Sequence, residues 1–227
     1  MLSGDAVEDQ SAVLKEAIAT NNYMAIHVIH TSLLRLACFF GNWEMALQQV
    51  TVVENNLRVL KCIPGSYMFT EYLFFSGLTH IIQAQRASRL GPKGYRKNVR
   101  KATRIMDTLE KYVDEGTLDC LPYYLVLRAE VTYLDVKIGK QNVSNVKCAF
   151  DKAIAVSKEN DALHIHALAS ERLGLVLLAL GEEKRSVTCL LEAQKIYQKW
   201  QAFAKMEQLD EVIADAISGT VGTIQTM

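Results

Sequence analysis

Eight basic residues, Arg86, Arg89, Lys93, Arg96, Lys97, Arg100, Lys101 and Arg104, fall within nineteen positions that contain no acid. The chemistry open to such a run is attraction of anions. On a helix from Tyr95, positions 95, 99, 102, 105, 106, 109, 112 and 113 form an apolar face, and Arg96, Lys97, Arg100, Lys101 and Arg104 lie on the other. Cations in a first turn oppose the helix dipole by roughly 0.3–1 kcal/mol. Like charges at i,i+4 repel by a few tenths of a kcal/mol more. The acids Asp107, Glu110, Asp114 and Glu115 come only at the far end. That order works against the helix, so a compensating role is expected. One account is a solvated face answered by acids on a neighbouring helix. The other is a docking patch for an acidic protein segment, or for a nucleic-acid or phospholipid backbone. Tyr95 alone offers no ladder of aromatics for stacking bases, which disfavours nucleic acid.

The other reactive residue types point to no reaction. His27 and His30 are one helical turn apart, but no Asp, Glu or Cys shares that turn, and a metal site needs three or four ligands. His164 and His166 diverge by about 200° on a helix and cannot share a ligand. Glu182 and Glu183 precede Lys184 and Arg185 at a helix start, which fits capping and the dipole. There is no GxxxxGK[ST] phosphate loop, no kinase HRD or DFG element and no GxSxG or Cys–His arrangement. The expectation is a protein that is not an enzyme, with no metal and no cofactor.

Composition agrees with a folded, water-facing chain. Of 227 residues 50% are apolar and 22% charged, and 25 basic residues balance 25 acidic ones. Bulk attraction to polyanions is therefore excluded, and only a local patch can provide it. The start, MLSGDAVEDQ, is acidic and polar where a secretory signal needs a basic and then apolar stretch. The most apolar segment, Leu173 to Leu180, is far short of the roughly 20 residues of a membrane span. Cys38, Cys62, Cys120, Cys148 and Cys189 are odd in number and form no CxxC, so reduced thiols in the cytoplasm are expected.

The elements that position these residues are helices. Apolar residues recur at three- and four-residue spacing from Tyr23 to Phe40, Trp43 to Leu60, Tyr67 to about Leu90 and Tyr95 to about Glu115. After Pro122 they run to about Ile138, then Val143–Ser157, Ala162–Leu180, Glu182–Trp200 and about Ala202–Ile217. Asp5 to Thr20 reads as one further helix. Gly41, Gly91, Gly139 and Gly181 separate the members of helix pairs at intervals of 50, 48 and 42 residues. A recurring helix pair predicts an all-α fold, an α-α superhelix of antiparallel helix pairs, because one pair cannot bury its stripe on both sides. The expected organisation is an N-terminal helix or tail over 1–20, a helical-repeat domain over 21–217 and a flexible tail over 218–227. Tyr67, Phe69, Tyr72, Phe74 and Phe75 read as core between repeats, and Trp43 and Trp200 as seals beside inter-helix turns.

Leu173-Gly174, Gly181, Ser186, Leu190 and Ala193 stand at the offsets of the tetratricopeptide pattern, and Gly41, Trp43 and Ala46 repeat part of it. A narrower likeness lies in AIAVSKEN at 153–160 and ALASERLGLVLLALGEEKRSVTCLLEAQKIYQKW at 167–200, with Tyr197, Trp200, Ala202, Ala204 and Lys205 as signature. This resembles the tetratricopeptide-like region ahead of the sensor modules in large proteins that join a serine/threonine kinase, an AAA-type ATPase and a sensor histidine kinase. Gln201 stands where that signature usually has glycine. The resemblance implies a helical spacer and interaction surface, with phosphoryl transfer left to other domains. The expected function is thus a non-enzymatic scaffold for protein–protein interaction in a signalling-kinase setting. Its partner would be an acidic segment or a kinase or sensor module. The alternative is a fragment or regulatory region acting in cis on an ATP-dependent serine/threonine or histidine kinase.

Overall fold

A computed structural model describes residues 4–62, 65–87 and 92–218, with side chains described from residue 12 and that of Pro92 excepted. The helices are α1 (Gly4–Ala19), α2 (Tyr23–Phe39), α3 (Trp43–Asn55), α4 (Leu57–Leu60), α5 (Tyr67–Ala87) and α6 (Pro92–Asp114). They continue with α7 (Leu121–Lys137), α8 (Val143–Glu159), α9 (Leu163–Ala179), α10 (Glu183–Lys199) and α11 (Phe203–Ser218). One 3-10 turn covers Leu118–Cys120, and no strand occurs among the described residues, so the fold is all-α. No helix among them is long and apolar enough to cross a membrane.

One turn design joins most of these helices. After α2, Asn42 N donates to Ala37 O (2.8 Å) and Gly41 N to Cys38 O (3.3 Å), with Gly41 at φ 70°. This paired bond satisfies the last free carbonyls of the helix and needs a left-handed residue, a role that suits glycine. The same pair of bonds recurs around Gly116, Gly139 and Gly181. It also recurs around Asn21 (φ 52°), Asp161 (φ 51°) and Gln201 (φ 62°), where no glycine marks it in the sequence. Gly91 lies outside the described residues, as do Ile63, Pro64, Arg89 and the tail from Gly219.

Two expected boundaries change. The helix read from Trp43 to Leu60 is broken at Asn56, whose backbone is extended (φ −117°, ψ 93°) and whose side chain accepts from Arg58 N and Val59 N. An amide that bonds the following N–H groups starts a helix better than it continues one. The helix read from Tyr95 begins at Pro92, where the missing proline N–H is no loss.

The helices lie in two rows. α2, α5, α7 and α9 touch in that order, while α3, α6, α8 and α10 each pack on the inner helix before them and reach toward the next helix in line. α5 is buried all round from Thr70 to Ile82, as a helix at the centre of such a row must be. Close approach is set locally: a Cβ on Gly174 would stand 2.7 Å from Leu190 Cγ, and Ser186 Oγ donates to Gly174 O at 2.8 Å. Small residues at 174 and 186 therefore let α9 and α10 meet.

The ends of the row also meet. Gln208 Nε2 on α11 donates to the Phe40 carbonyl at 3.1 Å across 168 residues of sequence. The Arg172 guanidinium on α9 lies 5.6 Å from the Trp43 ring centroid on α3. Glu171, buried beside it, accepts from Tyr197 Oη (2.7 Å) and Lys205 Nζ (2.6 Å). Three of the signature residues thus have structural duties: Tyr197 and Lys205 hold Glu171, and Ala202 N closes the turn after α10.

Candidate functional site

Two surfaces gather side chains that could recognise another molecule. The first is the basic face of α6. Lys93, Arg96, Lys97, Arg100 and Arg104 are exposed, and none makes an ion pair among the described residues. Lys101 differs: it is half-buried and bound to Glu54 on α3. Glu54 also meets His80 Nε2 at 3.2 Å. Burial pushes its carboxyl up, but His80 and Lys101 outweigh that and hold it below the usual carboxylate range. Neighbouring acid therefore answers one of the five predicted patch residues, and the other four face solvent. Arg86 sits half-buried at the end of α5, apart from this face.

The second surface was not anticipated. Leu36 and Phe40 at the end of α2 face Trp200 and Phe203 around the α10–α11 turn, enclosing an apolar groove of about 360 Å³. All four side chains are exposed, Phe203 to 61%. Trp200 stacks obliquely on Phe39 (5.3 Å) and His164 (5.9 Å), so it closes only one side of its turn and leaves an edge open. Trp200 therefore packs beside its turn while staying 38% exposed, whereas Trp43 is only 2% exposed.

A polar chain borders this groove. Arg35 donates to Glu71 Oε1 (3.3 Å), which also accepts from Tyr67 Oη (3.3 Å). Tyr67 and Tyr123 hydroxyls are 3.0 Å apart, and Tyr123 Oη lies 3.2 Å from His164 Nε2. The links run from α2 through two residues of α5 and one of α7 to α9. Burial, reinforced by the charge of Arg35, pushes the His164 imidazole down to about 4. Burial likewise raises Tyr123 well above the ordinary phenol range. The imidazole is thus neutral and the phenols protonated at pH 7, so the chain can donate and accept hydrogen bonds but carries no activated nucleophile. Tyr67, expected in the core, is in fact exposed.

Three further histidines are occupied in packing. His27 Nδ1 meets Val59 O (3.0 Å), His30 Nδ1 meets Gln49 Oε1 (2.7 Å), and His80 Nδ1 meets Asn98 Oδ1 (3.0 Å). No cluster of three His, Cys, Asp or Glu able to hold a metal occurs among the described residues. Glu182 makes no side-chain cap for α10 and instead pairs with Arg185 at 2.7 Å, which corrects the capping role.

A sequence signal did exist for the ion pairs made by the inner helices, though not for the groove. α2 carries Arg35 as its lone charged residue, and α9 carries only Glu171 and Arg172. A solitary charge in an otherwise apolar helix must find a partner, since a buried unpaired charge is costly. Comparison of the chain with protein-family models, with curated proteins and with solved structures gives no match in any of the three.

Proposed function

We propose that the chain is a non-enzymatic helical-repeat scaffold for protein–protein interaction, its helix pairs forming a tetratricopeptide-like superhelix in the cytoplasm. Its setting is that of the multidomain signalling kinases it resembles. The observation that carries the reading is the groove between Leu36, Phe40, Trp200 and Phe203. Exposed apolar side chains scattered singly mean little, but four lining one groove mark a surface for a partner. Fully burying one exposed apolar anchor of a partner contributes about 1.5–3 kcal/mol, so its insertion here would supply useful affinity. Alternating inner and outer helices, and the turn repeated along the chain, support the superhelix.

The test is site-specific photo-crosslinking in cells. A crosslinking residue at Phe203 should capture a partner that one at exposed Lys147 on α8 does not. Trp200→Ala should abolish the capture while leaving helix content unchanged. Equal capture at both positions, or capture indifferent to Trp200→Ala, overturns the reading. A captured chain carrying a kinase or sensor domain supports the signalling context.

A further inference from the structure

We propose that Lys93, Lys97, Arg100 and Arg104 form a seam on α6 that docks an acidic α-helix of a partner protein. The inference rests on the protein-partner reading above but uses a different surface. The spacing is four, three and four residues. At 100° per residue these four side chains fall within about 60° of arc and extend over roughly 16 Å. Arg96 flanks them one position before Lys97, and all five are exposed without an ion pair among the described residues. Lys101, one position after Arg100, is turned aside to Glu54, so the fold itself separates the structural cation from the free ones.

Four-three-four is the spacing by which one helix presents a line of side chains to another lying along it. A helix with carboxylates at the same intervals matches the seam in pitch, one charge per turn. Charge complementarity makes the partner acidic, because four like charges on adjacent turns repel until something negative lies between them. The bounds of the seam select a short segment. From Asp107 the same helix turns mostly acidic, with Asp107, Glu110 and Asp114 exposed, and its one further cation, Lys111, pairs with Glu115 just past its end at 3.6 Å. A long phosphate backbone laid along α6 would run onto those carboxylates, and Tyr95, half-buried, offers no stacking platform. The contact is solvent-exposed, so it is weak and salt-sensitive and adds to specificity and encounter rate more than to affinity.

The experiment uses the full chain and a synthetic alanine-based helix of about sixteen residues whose glutamates repeat the four-three-four spacing. Fluorescence anisotropy at low salt should give a Kd of tens of micromolar or somewhat weaker, lost at roughly 0.5 M salt. A peptide of the same composition with its glutamates spread round the helix should bind at least about fivefold less tightly. The triple variant Lys97→Glu/Arg100→Glu/Arg104→Glu, with wild-type helicity, should lose at least about tenfold. That variant should gain binding to the same peptide with lysines in place of glutamates, which separates loss of the seam from loss of fold. A single-stranded oligonucleotide binding more tightly than the acidic helix would overturn the proposal in favour of a phosphate backbone. No preference for the spaced peptide, or no binding by either, would also overturn it, and neither outcome touches the apolar groove.

Discussion

Arg172 on α9 holds Glu130 on α7 by two hydrogen bonds, Nε to Oε1 at 2.5 Å and Nη2 to Oε2 at 3.2 Å, with both side chains buried. Gln85 Nε2 on α5 donates to the same Oε2 at 3.1 Å, and the guanidinium rests over Trp43 on α3. One pair therefore connects four helices. Removing one member leaves the other buried without its counter-charge, the costly case for an internal ion pair. Arg172→Met should destabilise the fold by about 3–5 kcal/mol, read from urea denaturation. Replacing both, Glu130→Leu with Arg172→Met, should restore most of that loss. A double variant no more stable than the single would show that the pair is not the unit of stability.

His164 makes stability depend on mild acid. Its folded pKa, about 4, lies below the ordinary 6.5, with Arg35, Tyr123 and Trp200 facing the ring. Between those values the unfolded chain binds a proton that the folded chain does not, so stability rises with pH. The contribution is complete above pH 6.5, falls as pH drops toward 4 and then levels off. Its size is at most about 3 kcal/mol. Thermal melts from pH 7 to pH 4 should show a smaller fall in Tm for His164→Gln than for the wild type. Parallel curves would exclude His164 as the source.

Gln201 and Gly181 occupy equivalent turns, at φ 62° and φ 80°. A side chain is strained in that conformation, whereas glycine is not. Gln201→Gly should stabilise by about 0.5–1 kcal/mol, part of the relief being offset by the freer unfolded backbone. Gly181→Ala should cost about 1 kcal/mol although nothing lies within 4 Å of the added carbon, because the penalty is in the backbone alone. Chemical denaturation of the two variants should move in opposite directions.

Gly174→Ala tests close helix approach. Its Cβ would meet Leu190 Cγ at 2.7 Å and the Leu190 backbone N at 3.3 Å, so rotation of the leucine cannot fully relieve the contact. A loss of about 1–3 kcal/mol is expected, measured as a lowered denaturation midpoint. An unchanged midpoint would mean that α9 and α10 separate at little cost.

Periodicity in the sequence carries most of the helices, because each buries a local stripe. Turns with glycine show for the same reason, since only glycine takes the left-handed position freely. The turns at Asn21, Asp161 and Gln201 do not show, because their residues are common elsewhere and only the hydrogen bonds disclose them. The break at Asn56 is hidden in an apolar run that continues across it. The basic run on α6 could be read directly, as its residues are neighbours on one helix, but the turning aside of Lys101 to Glu54 on α3 could not. The groove could not: Leu36 and Phe203 come together through the docking of α11, and no local spacing encodes a meeting so remote. Glu130 and Arg172, 42 residues apart, are hidden likewise, although the isolation of each charge hints at a mate.

An array linked only neighbour to neighbour can peel from one side. The bond from Gln208 to the Phe40 carbonyl opposes that order of events, since lifting α11 also strips cover from the α2–α3 hairpin. During synthesis that early hairpin must wait, with part of its apolar edge open, until the sixteen residues of α11 have left the ribosome. Completion of the α2–α3 edge is thus timed by the emergence of a helix made long after it.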